Sequence, residues 1–405
     1  MLMLTVNYLI FKLENRFNRA MLIIRSILDT IEFLILFCYY SLEAFILMFF
    51  CIQKNVAGKI VLVTGSANGI GREVSINLAR LGSILILWDI DEEGNIETAE
   101  LAKANGALAV YPYKCDLRKR EEIYTVAEQV KKEVGDVEIL INNAGVLKGK
   151  TFLDLPDSDM EETFEVNTTA HFWTCKAFLP AMIANNEGHL VSIVSLTALA
   201  GGNKLTDYTA SKGAAFGFLE SLAFEMRAAG KKGIKTTIVC PYYVDTELVT
   251  GVITTRPLLF PILDVGYVAK KIVDGILKEK LYVVVPAYAR TILLKIFLPA
   301  KVVFLIAEYF GFFNNLDHFK GEIQRGHARK DSMGMLPIDN CSSSGMYKRY
   351  ICGVISKFIC SIFSRFPPTK APPFRVFDTF REFKSLQRPY YKRTENKGLK
   401  FCTVL

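Results

Sequence analysis

The sequence predicts an α/β fold, a doubly wound parallel sheet flanked by helices, and two patterns carry that expectation. Short apolar runs rich in β-branched residues recur along residues 59–286: KIVLVTG, SILILWD, ALAVYPYK, VEILINN, HLVSIVS, KTTIVC and LYVVVP. Continuous apolar runs of this length suit strands buried on both faces of a parallel sheet. Between them lie amphipathic helical stretches, such as REVSINLARLG and REEIYTVAEQVKKEVG, joined by short connections. Regular alternation of strand and helix is the pattern of a Rossmann-type sheet, which binds ligands beyond the C-terminal ends of its strands.

Ahead of the first strand, Phe33 to Ile52 reads FLILFCYYSLEAFILMFFCI, long enough as a helix to cross a hydrocarbon core. Glu43 interrupts it near the middle, where a carboxylate must pair, protonate or lie in the interface. The run is too long and starts too late for a cleaved signal peptide, so it reads as a retained membrane anchor. Lys12, Arg16, Arg19 and Arg25 precede it and Lys54 and Lys59 follow, so basic residues give no orientation. The expected divisions are 1–53 for the N-terminal region with its anchor at about 33–52, 54–320 for the α/β domain, and 321–405 for a C-terminal extension.

KIVLVTG runs into Gly65-Ser66-Ala67-Asn68-Gly69-Ile70-Gly71 and then a helix. Glycines here let the backbone turn sharply and approach a pyrophosphate at the helix N-terminus, where free amides and the helix dipole favour anions. The next strand ends at Asp89, eighteen residues after Gly71, where a carboxylate can accept from ribose hydroxyls and repels a 2′-phosphate. Ile90 follows Asp89 and no basic residue is placed to hold that phosphate, so NAD is expected over NADP, with NADP still possible. The third strand ends at Asp116 and Leu117, placed for adenine, and the fourth runs into Asn142-Asn143-Ala144-Gly145.

Further on, Ser195 precedes Tyr208, and Lys212 follows it at i+4, which puts phenol and ammonium on one helix face. A free tyrosine titrates near 10, so use as a base near neutrality takes about 4 kcal/mol, part of which a neighbouring cation supplies.

Thr64-Gly65-x-x-x-Gly69-Ile70-Gly71, Asp116, Asn142-Asn143-Ala144-Gly145, Asn167, Ser195, Tyr208-x-x-x-Lys212 and Pro241, in order and at the usual separations, resemble the classical short-chain dehydrogenase/reductase family over about residues 55–290. The resemblance implies an oxidoreductase with catalytic residues Asn167, Ser195, Tyr208 and Lys212. Tyr208 exchanges a proton with the substrate oxygen, Lys212 lowers its pKa and meets the nicotinamide ribose, Ser195 holds the substrate oxygen, and Asn167 binds a water in a proton relay. The substrate would therefore meet Ser195 and Tyr208. The cofactor would meet Gly65, Ser66, Asn68, Gly69, Ile70, Gly71, Asp89, Asp116, Leu117, Asn143, Ala144, Gly145, Tyr208, Lys212, Pro241 and Thr246. The family usually has glycine after that proline; here Tyr242 follows.

After Tyr208 the helix carries Ala210, Gly213, Ala214 and Gly217, which suit either close packing on the sheet or the helix face through which family members dimerise. LVTGVITTRPLLFPIL reads equally as an apolar lid or as core, and TILLKIFLPAKVVFLIAEYFGFF suits a membrane surface beside the substrate entrance. With the anchor and the LWDID strand end, these features resemble the membrane and lipid-droplet branch of retinol dehydrogenases and 17-beta-hydroxysteroid dehydrogenase-like proteins.

Residues 331–405 carry the whole net charge of +8, while the first 330 hold 36 basic and 36 acidic residues. A body that binds nucleic acid is thereby disfavoured. Within the tail, residues 348–365 have the spacing of an amphipathic helix with basic flanks, suited either to an anionic membrane or to packing on the body. The nine cysteines show no paired spacing and the four histidines no ligand spacing, so neither a disulfide frame nor a metal site is expected.

The expected protein is thus a membrane-associated enzyme of the endoplasmic reticulum or lipid droplet, moving hydride between NAD(H) and a lipophilic alcohol or carbonyl. An NADPH-dependent carbonyl reductase uses the same residues in reverse, and a lipid-droplet scaffold with a structural cofactor site is the alternative outside enzymology.

Overall fold

The computed structural model describes residues 2–47 and 53–320. Side chains of the central strands divide by parity, as a period of two requires. Val61, Val63, Leu85, Leu87, Ile139 and Ile141 enter one apolar layer, while Leu62, Ile86, Trp88 and Leu140 enter the other.

Seven strands form one parallel sheet: β1 (Ile60–Thr64), β2 (Ile84–Asp89), β3 (Ala109–Lys114), β4 (Ile139–Asn142), β5 (Gly188–Ile193), β6 (Ile234–Pro241) and β7 (Tyr282–Val285). Their spatial order is β3-β2-β1-β4-β5-β6-β7. The order reverses between β1 and β4, so the connections leaving these two strands diverge and open a crevice at their C-terminal ends. Pro112 sits in β3 at the sheet edge, where its missing N–H removes no ladder bond from a central strand.

One face of the sheet is covered by α2 (Gly69–Ala79), α3 (Glu92–Ala104) and α8 (Val265–Leu277). On the other lie α4 (Arg120–Glu133), α6 (Ala170–Asn185) and α7 (Thr206–Ala228), the last also approached by α5 (Asp157–Phe164). Trp88 and Phe178, both fully buried, meet with ring centroids 5.7 Å apart. Each side chain of this kind contributes about 1.5–3 kcal/mol on burial.

The N-terminal apolar segment lies in α1 (Leu2–Leu47), which is much longer than the expected anchor and also takes in Lys12, Arg16, Arg19 and Arg25. Its described large apolar side chains are exposed, Phe33 and Ile35 at 63% each. Among the described residues no helix is long and apolar enough to cross a membrane, and residues 48–52 of the expected anchor lie outside them. The expected amphipathic helix at 348–365 and the rest of the basic tail also lie outside the described residues.

Beyond β7 the chain forms a 3-10 run from Ala287 to Phe297 and then α9 (Ala300–Tyr309). Pro299 stands at the N-cap of α9, where its fixed φ and missing N–H cost the helix nothing.

Candidate active site

β1 delivers Thr64 to a turn that only glycine can make at two points. Gly65 has φ +64°, and a Cβ on Gly71 would stand 2.1 Å from the Gly65 carbonyl oxygen. Asn143 at the end of β4 staples this turn: its Nδ2 donates to the carbonyls of Thr64 (2.9 Å) and Gly65 (3.0 Å). Thr64 Oγ1 in return accepts from the amides of Asn143 and Ala144. The N-terminus of α2 therefore faces the crevice with no side-chain cap at Asn68 and no acid in its first turn. That arrangement fits the pyrophosphate of a dinucleotide.

Asp89 closes the next edge of the crevice. Its Oδ2 accepts from Ala67 N at 2.8 Å and its Oδ1 from Asp91 N at 2.9 Å. These backbone bonds fix the carboxylate beside the glycine turn, on the wall of the crevice.

The crevice is a cavity of about 500 Å³. Of the expected cofactor residues, Gly65, Asn68, Gly69, Ile70, Asp89, Asp116, Leu117, Asn143, Ala144, Gly145, Tyr208, Lys212, Pro241 and Thr246 line it. Ser66 and Gly71 lie behind the wall. Ser66 is fully buried with its hydroxyl directed to Asn95 Oδ1 at 2.7 Å and to Trp88 O at 3.2 Å. Ser66 thus shapes the loop from inside.

At the far end stand Ser195, Tyr208 and Lys212. Ser195 follows β5 and caps a short 3-10 turn, its Oγ accepting from Thr197 N at 3.2 Å. Ser192, three residues back, is buried and turned instead to His171 Nδ1 at 3.2 Å. The Ser195 hydroxyl favours the charged form of the nearby Tyr208 phenol. On α7 the Lys212 ammonium lies 5.8 Å from the Tyr208 ring centre and donates to Ile193 O at 3.0 Å. Burial pushes the Tyr208 phenol up to about 12 against the lowering influence of Ser195, and pushes the Lys212 ammonium down to about 8. Desolvation thus moves the phenol further from use as a base, and the protein alone does not bring it toward neutrality.

Asn167 is buried and does not reach the cavity wall. It sits in a π-helical turn, Glu165–Thr169, between α5 and α6, with its amide directed at Val146 and Ser211. Single π turns in otherwise α-helical stretches recur at functional sites.

Sequence reading missed several wall residues. Arg118 grips Asp116 through Nε (2.9 Å) and Nη2 (2.8 Å), so the carboxylate expected to face adenine is already paired and held below its usual range. Glu162 on α5 joins Arg118 (3.3 Å) to Lys148 (2.6 Å), spanning the strand-end loops on either side of the crevice. Arg118 stands two positions after Asp116, a cue that sequence offers; nothing in sequence places Glu162 opposite it. Tyr243 was also missed; it forms an apolar portion of the wall with Leu248 and Val249, from the stretch expected as lid or core, and with Ile292 and Phe312, which fold back from the stretch expected beside the substrate entrance. Tyr242, the departure from glycine, packs on Tyr243 and Phe260 at 4.8 and 5.4 Å between ring centres.

The sequence matches the family model for short chain dehydrogenase over residues 59–256. It is 54% identical to epidermal retinol dehydrogenase 2 of Mus musculus over 271 residues, covering 67% of this chain and 88% of that protein. The chain belongs to the short-chain dehydrogenase/reductase family. It is accordingly an NAD(P)-dependent oxidoreductase, in a branch resembling retinol and hydroxysteroid dehydrogenases. Human 17-beta-hydroxysteroid dehydrogenase 13 is 40% identical over 307 residues, 75% of this chain and 98% of that one. Among solved structures, a short-chain dehydrogenase/reductase from Burkholderia phymatum in complex with NAD aligns with a TM-score of 0.55 and 25% identity, covering 63% of this chain and 97% of that chain.

Proposed function

We propose that this short-chain dehydrogenase/reductase is a membrane-associated enzyme that transfers hydride between NAD(H) and a lipophilic alcohol or its carbonyl, of the retinoid, steroid or related lipid class. The observation that carries the reading is a cavity with Ser195, Tyr208 and Lys212 gathered at one end and an apolar wall of Tyr243, Leu248, Val249 and Phe312. The names of its relatives support an alcohol of that kind.

Residues 54–320 form the catalytic domain in this reading. The α2 N-terminus holds the pyrophosphate, Asp89 takes the adenosine ribose, and Leu117 and Arg118 flank adenine, with Arg118 kept in place by Asp116. Pro241 and Thr246 border the nicotinamide side. NAD, when bound, supplies the hydride acceptor and a positive charge close to the phenol. Ser195 orients the substrate oxygen. Tyr208 takes its proton, or returns one in the reverse direction, and Lys212 favours the charged phenolate and the ribose hydroxyls beside it. Asn167 positions the segment around Val146, and a water beside it can carry protons onward from Lys212.

The exposed apolar side chains of α1 support membrane association, in this reading at the endoplasmic reticulum or a lipid droplet. A homodimer is supported by α7, where a Cβ on Gly213 or Gly217 would meet nothing within 4 Å, so these small residues do not serve packing within the chain. The test is NADH formation by membrane-bound protein with retinoid, steroid and long-chain alcohols. Turnover on at least one is expected. None on any, with dinucleotide still bound, would favour a scaffold role.

A further inference from the structure

The apolar cavity wall continues onto the outer surface. Ile292 lines the cavity, and along the same 3-10 run Leu293, Leu294, Ile296 and Phe297 are exposed, the last two at 74% and 83%. α9 adds Phe304 and Leu305 at 62% and 64%, and Leu258 and Leu259 project from the loop before α8. Contacts tie these pieces into one shelf. The Tyr288 hydroxyl donates to Leu259 O, and Phe260 packs on Tyr288, Phe310 and Phe312 with ring centres 5.0 to 5.8 Å apart. Lys295 donates to Leu199 O, in the segment between Ser195 and Tyr208.

Single exposed leucines are ordinary, but a contiguous patch beside a cavity marks an interaction surface. Its charge pattern narrows the partner. Residues 287–307 contain Arg290, Lys295 and Lys301 and no Asp or Glu. Large apolar tips among these three cations, with Glu308 following at the end of α9, match a lipid surface with anionic headgroups.

We propose that the shelf formed by residues 292–306 and Leu258–Leu259 docks on such a lipid surface and admits the substrate from the lipid to the cavity past Ile292. The inference deepens the membrane reading above and rests on it. It separates two tasks: α1 retains the protein at the membrane, and the shelf sets the mouth of the cavity against the lipid.

The test uses full-length protein bound to vesicles of brominated phosphatidylcholine containing phosphatidylserine, with Phe297→Trp and, as control, Ile96→Trp on α3. The indole at 297 is expected to be quenched by the bromines and that at 96 to be unaffected; wild-type protein supplies the background of Trp88 and Trp173. An unquenched indole at 297 in vesicle-bound protein overturns the proposal and points to a second copy or the 348–365 segment as the cover. Equal quenching at both positions overturns it too. Leu294→Trp serves if Phe297→Trp fails to fold. In a second arm, Ile296→Glu with Phe297→Glu raises KM severalfold for a vesicle-borne alcohol and leaves KM unchanged for the same alcohol in detergent micelles; equal effects in both contradict a role in entry. Quenching needs no turnover, so the shelf and the enzymatic reading fail separately.

Discussion

The Asn167 side chain clasps the backbone of Val146 in both directions: Oδ1 accepts from Val146 N at 2.9 Å and Nδ2 donates to Val146 O at 3.0 Å. The same Nδ2 donates to Ser211 Oγ at 3.1 Å on α7. One amide therefore joins the segment after Gly145 to the helix bearing Tyr208 and Lys212. Asn167→Ala removes the side-chain partner of the Val146 N–H and C=O, while Ser211 Oγ keeps its bond to Tyr208 O, and costs on the order of 2 kcal/mol. Chemical denaturation reads this loss, and kcat is expected to fall more than KM rises. A variant with wild-type stability would remove the clasp from the account.

Gly145 stands at the same junction. A Cβ there would lie 3.1 Å from Asn167 Oδ1 and 3.2 Å from Lys212 Nζ. Gly145→Ala is thus expected to displace the ammonium by a few tenths of an ångström and to lower kcat by roughly tenfold or more, since misplacement on that scale is costly in catalysis. Steady-state kinetics with saturating NAD measures it; an unchanged kcat contradicts a need for Lys212 at this position.

Asp89 is predicted to select the dinucleotide. Asp89→Ala removes acceptors for a ribose, each bond to a charged group being worth about 1.5–3 kcal/mol. The ratio of kcat/KM for NAD over NADP should fall roughly tenfold or more. Unchanged discrimination would refute Asp89 as the selector.

Lys212 and Tyr208 give stability opposite slopes with pH. Lys212 is pushed down to about 8, so between there and the ordinary lysine value near 10.4 the unfolded chain binds more protons and stability rises with pH. Tyr208, pushed up to about 12, keeps its proton after the unfolded phenol loses it near 10, so its contribution falls from about pH 10 to 12. Without added dinucleotide, wild-type stability minus that of Lys212→Met should climb by on the order of 1 kcal/mol per pH unit above about pH 8. A flat difference in guanidinium melts would show that the ammonium is not desolvated.

The dinucleotide half was legible because its requirements are local. A glycine turn after a buried strand, an acid at the next strand end and an Asn-Asn-Ala-Gly loop each fix chemistry within a few residues. Tyr208 and Lys212 were legible for the same reason, being one helical turn apart. The sequence singles out Asn167 but not its surroundings, because the clasp on Val146 spans 21 residues and depends on a π turn that periodicity does not mark. Arg118 and Glu162 meet across 44 residues, and Ile292 and Phe312 reach the cavity from beyond the last strand, so only the fold brings them there. The long α1 departed from expectation because charged residues inside it, Lys12 to Asp29, read as flanks of an apolar run although a helix accommodates them without a break.

The central claim is that hydride moves between a lipophilic alcohol and NAD with Tyr208 as the proton acceptor. It is tested most directly by incubating the membrane-bound enzyme with NAD and retinol deuterated at the carbinol carbon, then weighing the reduced dinucleotide by mass spectrometry. The account predicts NADH carrying one deuterium, formed by wild-type protein and reduced by roughly a hundredfold or more in Tyr208→Phe. Reduced dinucleotide without deuterium, or equal labelling by Tyr208→Phe, would contradict it.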